Sequence, residues 1–198
     1  MDLEQRIRQQ FESSASTALD TSAGIGAEIL QAAQRVVTTH GRQGKILICG
    51  NGGSAADALH FSAELLCRYQ RERPPLAAIA LSADTATITA TANDYAFDQI
   101  FSRQINALGR PGDLLITITT SGNSPNILEA VKAAAGIGLD VVALTGRGGG
   151  ALAGLLRETD IELRIPSDST ARIQEAHAII IHSICDLIDL HITGEFQL

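Results

Sequence analysis

The 198-residue chain reads as one α/β domain on a doubly wound parallel sheet of five strands, preceded by N-terminal helices. Three observations predict this. Five short apolar runs are separated by helical stretches, the order expected of βαβ units. The runs are continuous rather than alternating, as strands covered on both faces require. No linker, repeat or low-complexity tract divides the chain, and its 45% hydrophobic and 19% charged residues suit a single well-cored domain spanning residues 1–198.

Each element follows from local pattern. Residues 1–40 hold two helices without a neighbouring strand, at about 3–18 and 27–39. The second puts Ile29, Leu30, Ala33, Val36 and Val37 on one face. Residues 41–198 form the α/β core, with strands expected at 45–49, 76–81, 113–119, 140–145 and 161–165. A long helix over 172–190, carrying Ile179, Ile180, Ile184, Leu187 and Ile188, closes the chain.

Composition excludes several classes of function. With 22 Asp+Glu against 15 Lys+Arg the net charge is −7, which argues against nucleic-acid or anionic-membrane binding through counterion release. Only Arg68, Arg71 and Arg73 crowd together, with Glu72 among them, as a solvated helix end or a local anion clamp. Three cysteines, Cys49, Cys67 and Cys185, are too few and odd in number for a disulfide framework. The charged N-terminus lacks the apolar core of a secretory signal, and no apolar run reaches the roughly 18 residues of a membrane span. A cytoplasmic protein is expected.

In a doubly wound sheet ligands sit beyond the carboxyl ends of the strands, so the segments following each run are the first candidates. Gly50-Asn51-Gly52-Gly53-Ser54 follows the first strand and opens a helix. It is either a tight turn or a loop whose amides approach an anion, but it is neither a dinucleotide fingerprint nor a Walker loop. Thr119-Thr120-Ser121-Gly122-Asn123-Ser124-Pro125 follows the third strand. Ser124 and Pro125 suit N-cap and first helical position, while four hydroxyls around one glycine suit a phosphate. His60 and Glu64 share a helix face, with Asp57 one turn earlier, at a spacing that serves a metal pair, an acid–base pair or an ordinary surface pair. Gln174, His177 and His182 interrupt the apolar closing helix, and His177 is taken as a structural core histidine. Asn93-Asp94, before the segment 97–107, is either a helix cap or a sugar-hydroxyl ligand.

Four stretches in this order, CGNGGSAADALHFSAELLCRY, TANDYAFDQIFSRQINALG, TTSGNS and ARIQEAHAIIIH, resemble the phosphoheptose isomerases of the sugar isomerase (SIS) domain group. The likeness covers nearly the whole chain, and the joint occurrence of the four is specific where each alone is weak. It implies a single SIS domain of flavodoxin-like character in a homotetramer, with the opening helices packed between subunits. The implied activity is isomerisation of sedoheptulose 7-phosphate to D-glycero-D-manno-heptose 7-phosphate, which supplies the heptose of bacterial surface glycans such as lipopolysaccharide. The family's zinc ligands fall on His60, Glu64, Gln174 and His182, one ion per subunit. Its substrate contacts fall on Asn51, Gly52, Gly53, Glu64, Asn93, Asp94, Thr119, Thr120, Ser121, Ser124 and Gln174. Moving the carbonyl from C2 to C1 through an enediolate needs a base, an acid and a group that holds the developing charge, and Glu64 is assigned as base and His182 as acid.

Two positions depart from the family pattern. Thr119 stands where serine is common and keeps the hydroxyl. Ala171 stands where some members carry an acidic residue, which bears on rate and fine specificity. Two rival readings share the fold: a non-enzymatic relative that binds the replication initiator, and a sugar-phosphate-sensing domain of the kind found in transcription factors. The retained Glu64 and His182 favour the enzyme over the first. The absence of a DNA-reading segment and the negative charge disfavour the second.

Overall fold

The computed structural model describes residues 2–198. Its strands are β1 (Ile46–Gly50), β2 (Ala78–Ala80), β3 (Leu114–Ile118), β4 (Asp140–Gly146) and β5 (Ile161–Ile165), all parallel, in the order β2-β1-β3-β4-β5. The helices are α1 (Leu3–Gly41), α2 (Gly53–Leu66), α3 (Thr85–Asp94), α4 (Ser102–Leu108), α5 (Pro125–Gly136), α6 (Gly150–Ala153) and α7 (Thr170–Ile192), with a 3₁₀ turn at Phe97–Gln99.

Strand order and handedness together fix the layers. The step from β1 to β2 runs one way along the sheet and every later step runs the other way, so right-handed crossovers put α2 on one face and the later connections on the opposite face. Alternation along each strand then divides the core. Ile46, Ile48, Leu114, Ile116 and Ile118 pack with Phe61, Leu65, Ile180 and Ile184 of α2 and α7 and with the second half of α1. Leu47, Cys49, Leu115, Val141 and Ala143 pack with Ile105 of α4 and Ile127 and Val131 of α5. Every residue of β1 and β3 is buried, as the continuous apolar runs require.

Two boundaries differ from the sequence expectation. The two opening helices meet at a kink in α1, where Ile25 has non-helical dihedrals (φ −133°, ψ 22°) between Gly24 and Gly26, so the first helix runs past residue 18 to that kink. Helix-forming residues carry the first helix up to that break, and the glycine pair concentrates the bend in one place. β2 is shorter than residues 76–81 because Pro74 and Pro75 precede it and the Leu76 amide donates to Leu65 O at the end of α2 instead of joining the ladder. The segment 97–107 holds the 3₁₀ turn and most of α4.

Candidate functional site

β1 and β3 are neighbours whose outgoing helices leave toward opposite faces, so a crevice opens beyond their carboxyl ends. Both candidate loops sit there. A cleft of about 100 Å³ is lined by Asn51 and Ser54 after β1, by Thr119, Thr120, Ser121 and Ser124 after β3, and by Gln174 of α7. The predicted hydroxyl set therefore converges on one small volume at the N-termini of α2 and α5, where unpaired amides and the helix dipole favour an anion.

Local chemistry explains the shape of each loop. Gly53 leaves room for the Gln174 amide, since a Cβ there would lie 2.4 Å from Gln174 Nε2 and push that side chain aside. Gly122 has φ +66°, and a Cβ on it would lie 1.9 Å from Gly149 O. The first turn of α6 thus braces the hydroxyl turn: Ala151 N donates to Asn123 Oδ1 and Leu152 N to Gly122 O. Thr119 Oγ1 accepts from Gly122 N at 3.2 Å, and Ser121 Oγ from Asn123 N at 3.2 Å, so these two hydroxyls shape the turn while keeping a proton to donate. Ser124 is the N-cap residue of α5, but its side chain makes no capping bond. Its hydroxyl is left to the cleft.

The His/Glu candidates lie further along the same two helices. Gly53 touches Gln174 and His60 touches His182, so α2 and α7 run side by side in the same direction. His60 Nε2 and His182 Nε2 are 2.9 Å apart, within hydrogen-bond distance, and Glu64 Oε1 is 3.7 Å from His60 Nε2. The Tyr69 ring stacks on His182 with centroids 5.5 Å apart. Asp57 lies one turn before His60. Burial pushes its carboxyl up, against the opposing pull of His60.

Two imidazoles and a carboxylate are the donor types that bind a divalent cation such as zinc. At bonds of about 2.0–2.1 Å, neighbouring tetrahedral ligands stand roughly 3.3 Å apart, and the 2.9 Å and 3.7 Å separations bracket that value. The residue types fit the ion. Among the described residues, however, no three His, Cys, Asp or Glu side chains are preassembled around one point. His60 pairs with each of the others, and Gln174 turns its amide to Gly53 and the cleft.

Asn93 and Asp94 are not brought into this cleft. They end α3, where Asn93 Nδ2 donates to Asp94 Oδ1 at 2.8 Å, and Asp94 lines a separate 560 Å³ cleft between α3 and α4. His177 is fully buried and bonded to Thr145 O at 3.0 Å, the structural place expected of it. The arginines of the cluster are paired within the chain: Arg71 with Glu195 and Asp186, Arg73 with Asp189, and Arg68 with Glu72.

Sequence reading missed Asn126. Its buried side chain forms a reciprocal amide pair with Asn51, two bonds of 2.8 Å across 75 residues, and so sets the orientation of Asn51 at the cleft. No local pattern marks such a partner. The only signal was an amide one residue past the predicted N1 proline.

Known proteins share this sequence pattern and fold. The SIS domain family profile matches residues 10–146. The phosphoheptose isomerase of Azoarcus sp. (strain BH72) is 54% identical over 194 residues, covering 98% of each chain. Among solved structures, a phosphoheptose isomerase from Francisella tularensis superposes with a TM-score of 0.93 at 49% identity, covering 96% of this chain and 99% of that one. That of Neisseria gonorrhoeae gives 0.90 at 47% identity over 95% and 99%. The chain belongs to the phosphoheptose isomerases of the SIS-domain family.

Proposed function

We propose that this sugar-phosphate isomerase interconverts sedoheptulose 7-phosphate and D-glycero-D-manno-heptose 7-phosphate. The observation that carries this reading is the separation of two chemistries along α2. The hydroxyl cleft meets Gly53, and the His60/Glu64/His182 cluster begins seven residues later, about 10 Å of helix. An extended seven-carbon chain with a terminal phosphate spans about 10 Å from C1 to phosphorus at bonds of about 1.5 Å. With the phosphate in the cleft, C1 and C2 fall at the cluster.

The steps follow from the residues. Thr120, Ser121 and Ser124 donate hydroxyl protons to the phosphate, and the first amides of α5 add their dipoles, so an acidic chain binds a dianion without a lysine. Asn51, oriented by Asn126, and Gln174 offer amides to the sugar hydroxyls between the two ends. Glu64 takes a proton from C1. The C1–H electrons form the C1–C2 double bond and the C2 carbonyl oxygen takes up the charge. His182 delivers a proton to C2, the O1 proton passes to the charged O2 as the aldehyde forms at C1, and Glu64 and His182 then exchange protons with water to regain their starting states. A zinc ion held by His60, Glu64, His182 and Gln174 would supply Lewis acidity toward the substrate oxygens. Asn93 and Asp94 enter none of these steps.

Purified protein loaded with zinc is expected to form aldose phosphate from sedoheptulose 7-phosphate. Glu64→Gln and His182→Ala, folded and assembled as the wild type, are expected to lose at least about 100-fold in kcat. Wild-type protein that binds zinc yet turns nothing over would overturn the reading and point to initiator binding or ligand sensing.

A further inference from the structure

The cluster lies where α2 ends, and the segment that leaves α2 folds back over it. Arg73 and Asp189 form an ion pair with both side chains fully buried, Arg73 Nε to Asp189 Oδ1 at 2.7 Å. Arg73 also donates Nη2–H to Glu64 O (2.7 Å), a carbonyl at the C-terminus of α2, and Nη1–H to Leu65 O (3.0 Å), which accepts the Leu76 amide as well. The other Asp189 oxygen accepts the Gln70 and Arg71 amides, both at 2.9 Å. Those are the two amides directly after Tyr69. Asp189 follows His182 by seven residues, two helical turns, so both lie on one face of α7. That face holds Tyr69 twice: its ring stacks on His182 at an interplanar angle of 25°, and the backbone beyond it is fixed to Asp189.

A buried ion pair is a weak device for stability, because desolvation offsets most of its attraction and an apolar pair of equal volume serves as well. What it gives here is position. We propose that Tyr69 is a positioning residue that sets the orientation of the His182 imidazole, and that the Arg73–Asp189 pair anchors both Tyr69 and the last turn of α2 bearing Glu64. This rests on the isomerase reading, and it adds residues that touch neither substrate nor the reacting carbons.

The test compares Tyr69→Leu, Tyr69→Phe and Asp189→Asn in the full-length protein. Tyr69→Leu is expected to lower kcat by about 10- to 100-fold, and zinc affinity in chelator competition by about 10-fold, with KM within about twofold of wild type. Tyr69→Phe keeps the ring and restores both, whereas a merely structural role would move folding stability without this split. Asp189→Asn is expected to follow Tyr69→Leu, and should it fail to fold the Tyr69 pair still decides. Tyr69→Leu with wild-type kcat and zinc affinity would overturn the proposal, as would Tyr69→Phe as impaired as Tyr69→Leu. If the wild type proves inactive, the isomerase reading falls on its own. The metal-free crystal structure of Tyr69→Leu then decides: a reoriented His182 ring supports the positioning role, and an unmoved ring overturns it.

Discussion

Two histidines five residues apart on α7 do opposite things. Five residues turn the helix by about 140°, so His182 faces His60 while His177 points into the core. Burial pushes the His177 imidazole down to about 4, although its bond to Thr145 O works the other way. The sign of the consequence follows. Between the ordinary value of 6.5 and about 4 the unfolded chain takes up a proton that the folded imidazole refuses, so stability falls as pH drops through that window. The loss is at most on the order of 3 kcal/mol. His177→Leu is expected to be less stable at pH 7 but to lose most of this slope, read as urea midpoints from pH 7 to 4. An unchanged slope would assign the acid sensitivity elsewhere. At this scale the sequence showed residue types well and pairings poorly. Ser124 was legible as an N-cap position because capping is local, whereas Asn126 was not, because its partner Asn51 is 75 residues away.

α1 shows what an element reveals when only part of it is covered. Its second half is buried through Ala32, Ala33 and Val36, while Leu3, Ile7, Phe11 and Leu19 in the first half are 60–74% exposed. Leu3, Ile7 and Phe11 recur every four residues, an apolar stripe of the kind that seeks a second helix. We infer that this stripe packs between copies in a homotetramer. Ile7→Asp with Phe11→Asp is expected to reduce the mass in light scattering while circular dichroism stays unchanged, and an unaltered mass would contradict the inference. The helical period of α1 was readable, and so was its division into two helices. The end of its first half was not, since helix-forming residues carry that half past residue 18 to the kink between Gly24 and Gly26. β2 was overextended for a related reason: apolar character continues through Leu76, but that amide goes to the end of α2.

The molecule as a whole makes the site by reversing direction. Alternating runs and helices were enough to predict a parallel doubly wound sheet, and β5 falls on the expected residues 161–165. The order β2-β1-β3-β4-β5 is not written in that alternation, yet it makes the loops after β1 and β3 neighbours and leaves Asn93-Asp94 at another cleft. The candidate residues were legible one motif at a time, and their spacing became visible only once α2 and α7 lay side by side. That spacing bears directly on chemistry, because the phosphate end and the reacting end must be served together. No helix among the described residues is long and apolar enough to cross a membrane.

The most direct test of proton transfer through Glu64 is turnover of sedoheptulose 7-phosphate in D₂O by zinc-loaded protein, with the product read by NMR. The isomerase reading predicts one solvent deuterium at C2 of the aldose phosphate from the wild type, and neither turnover nor exchange from Glu64→Gln. Deuterium incorporation by Glu64→Gln at the wild-type rate, or no product from the wild type, would contradict it.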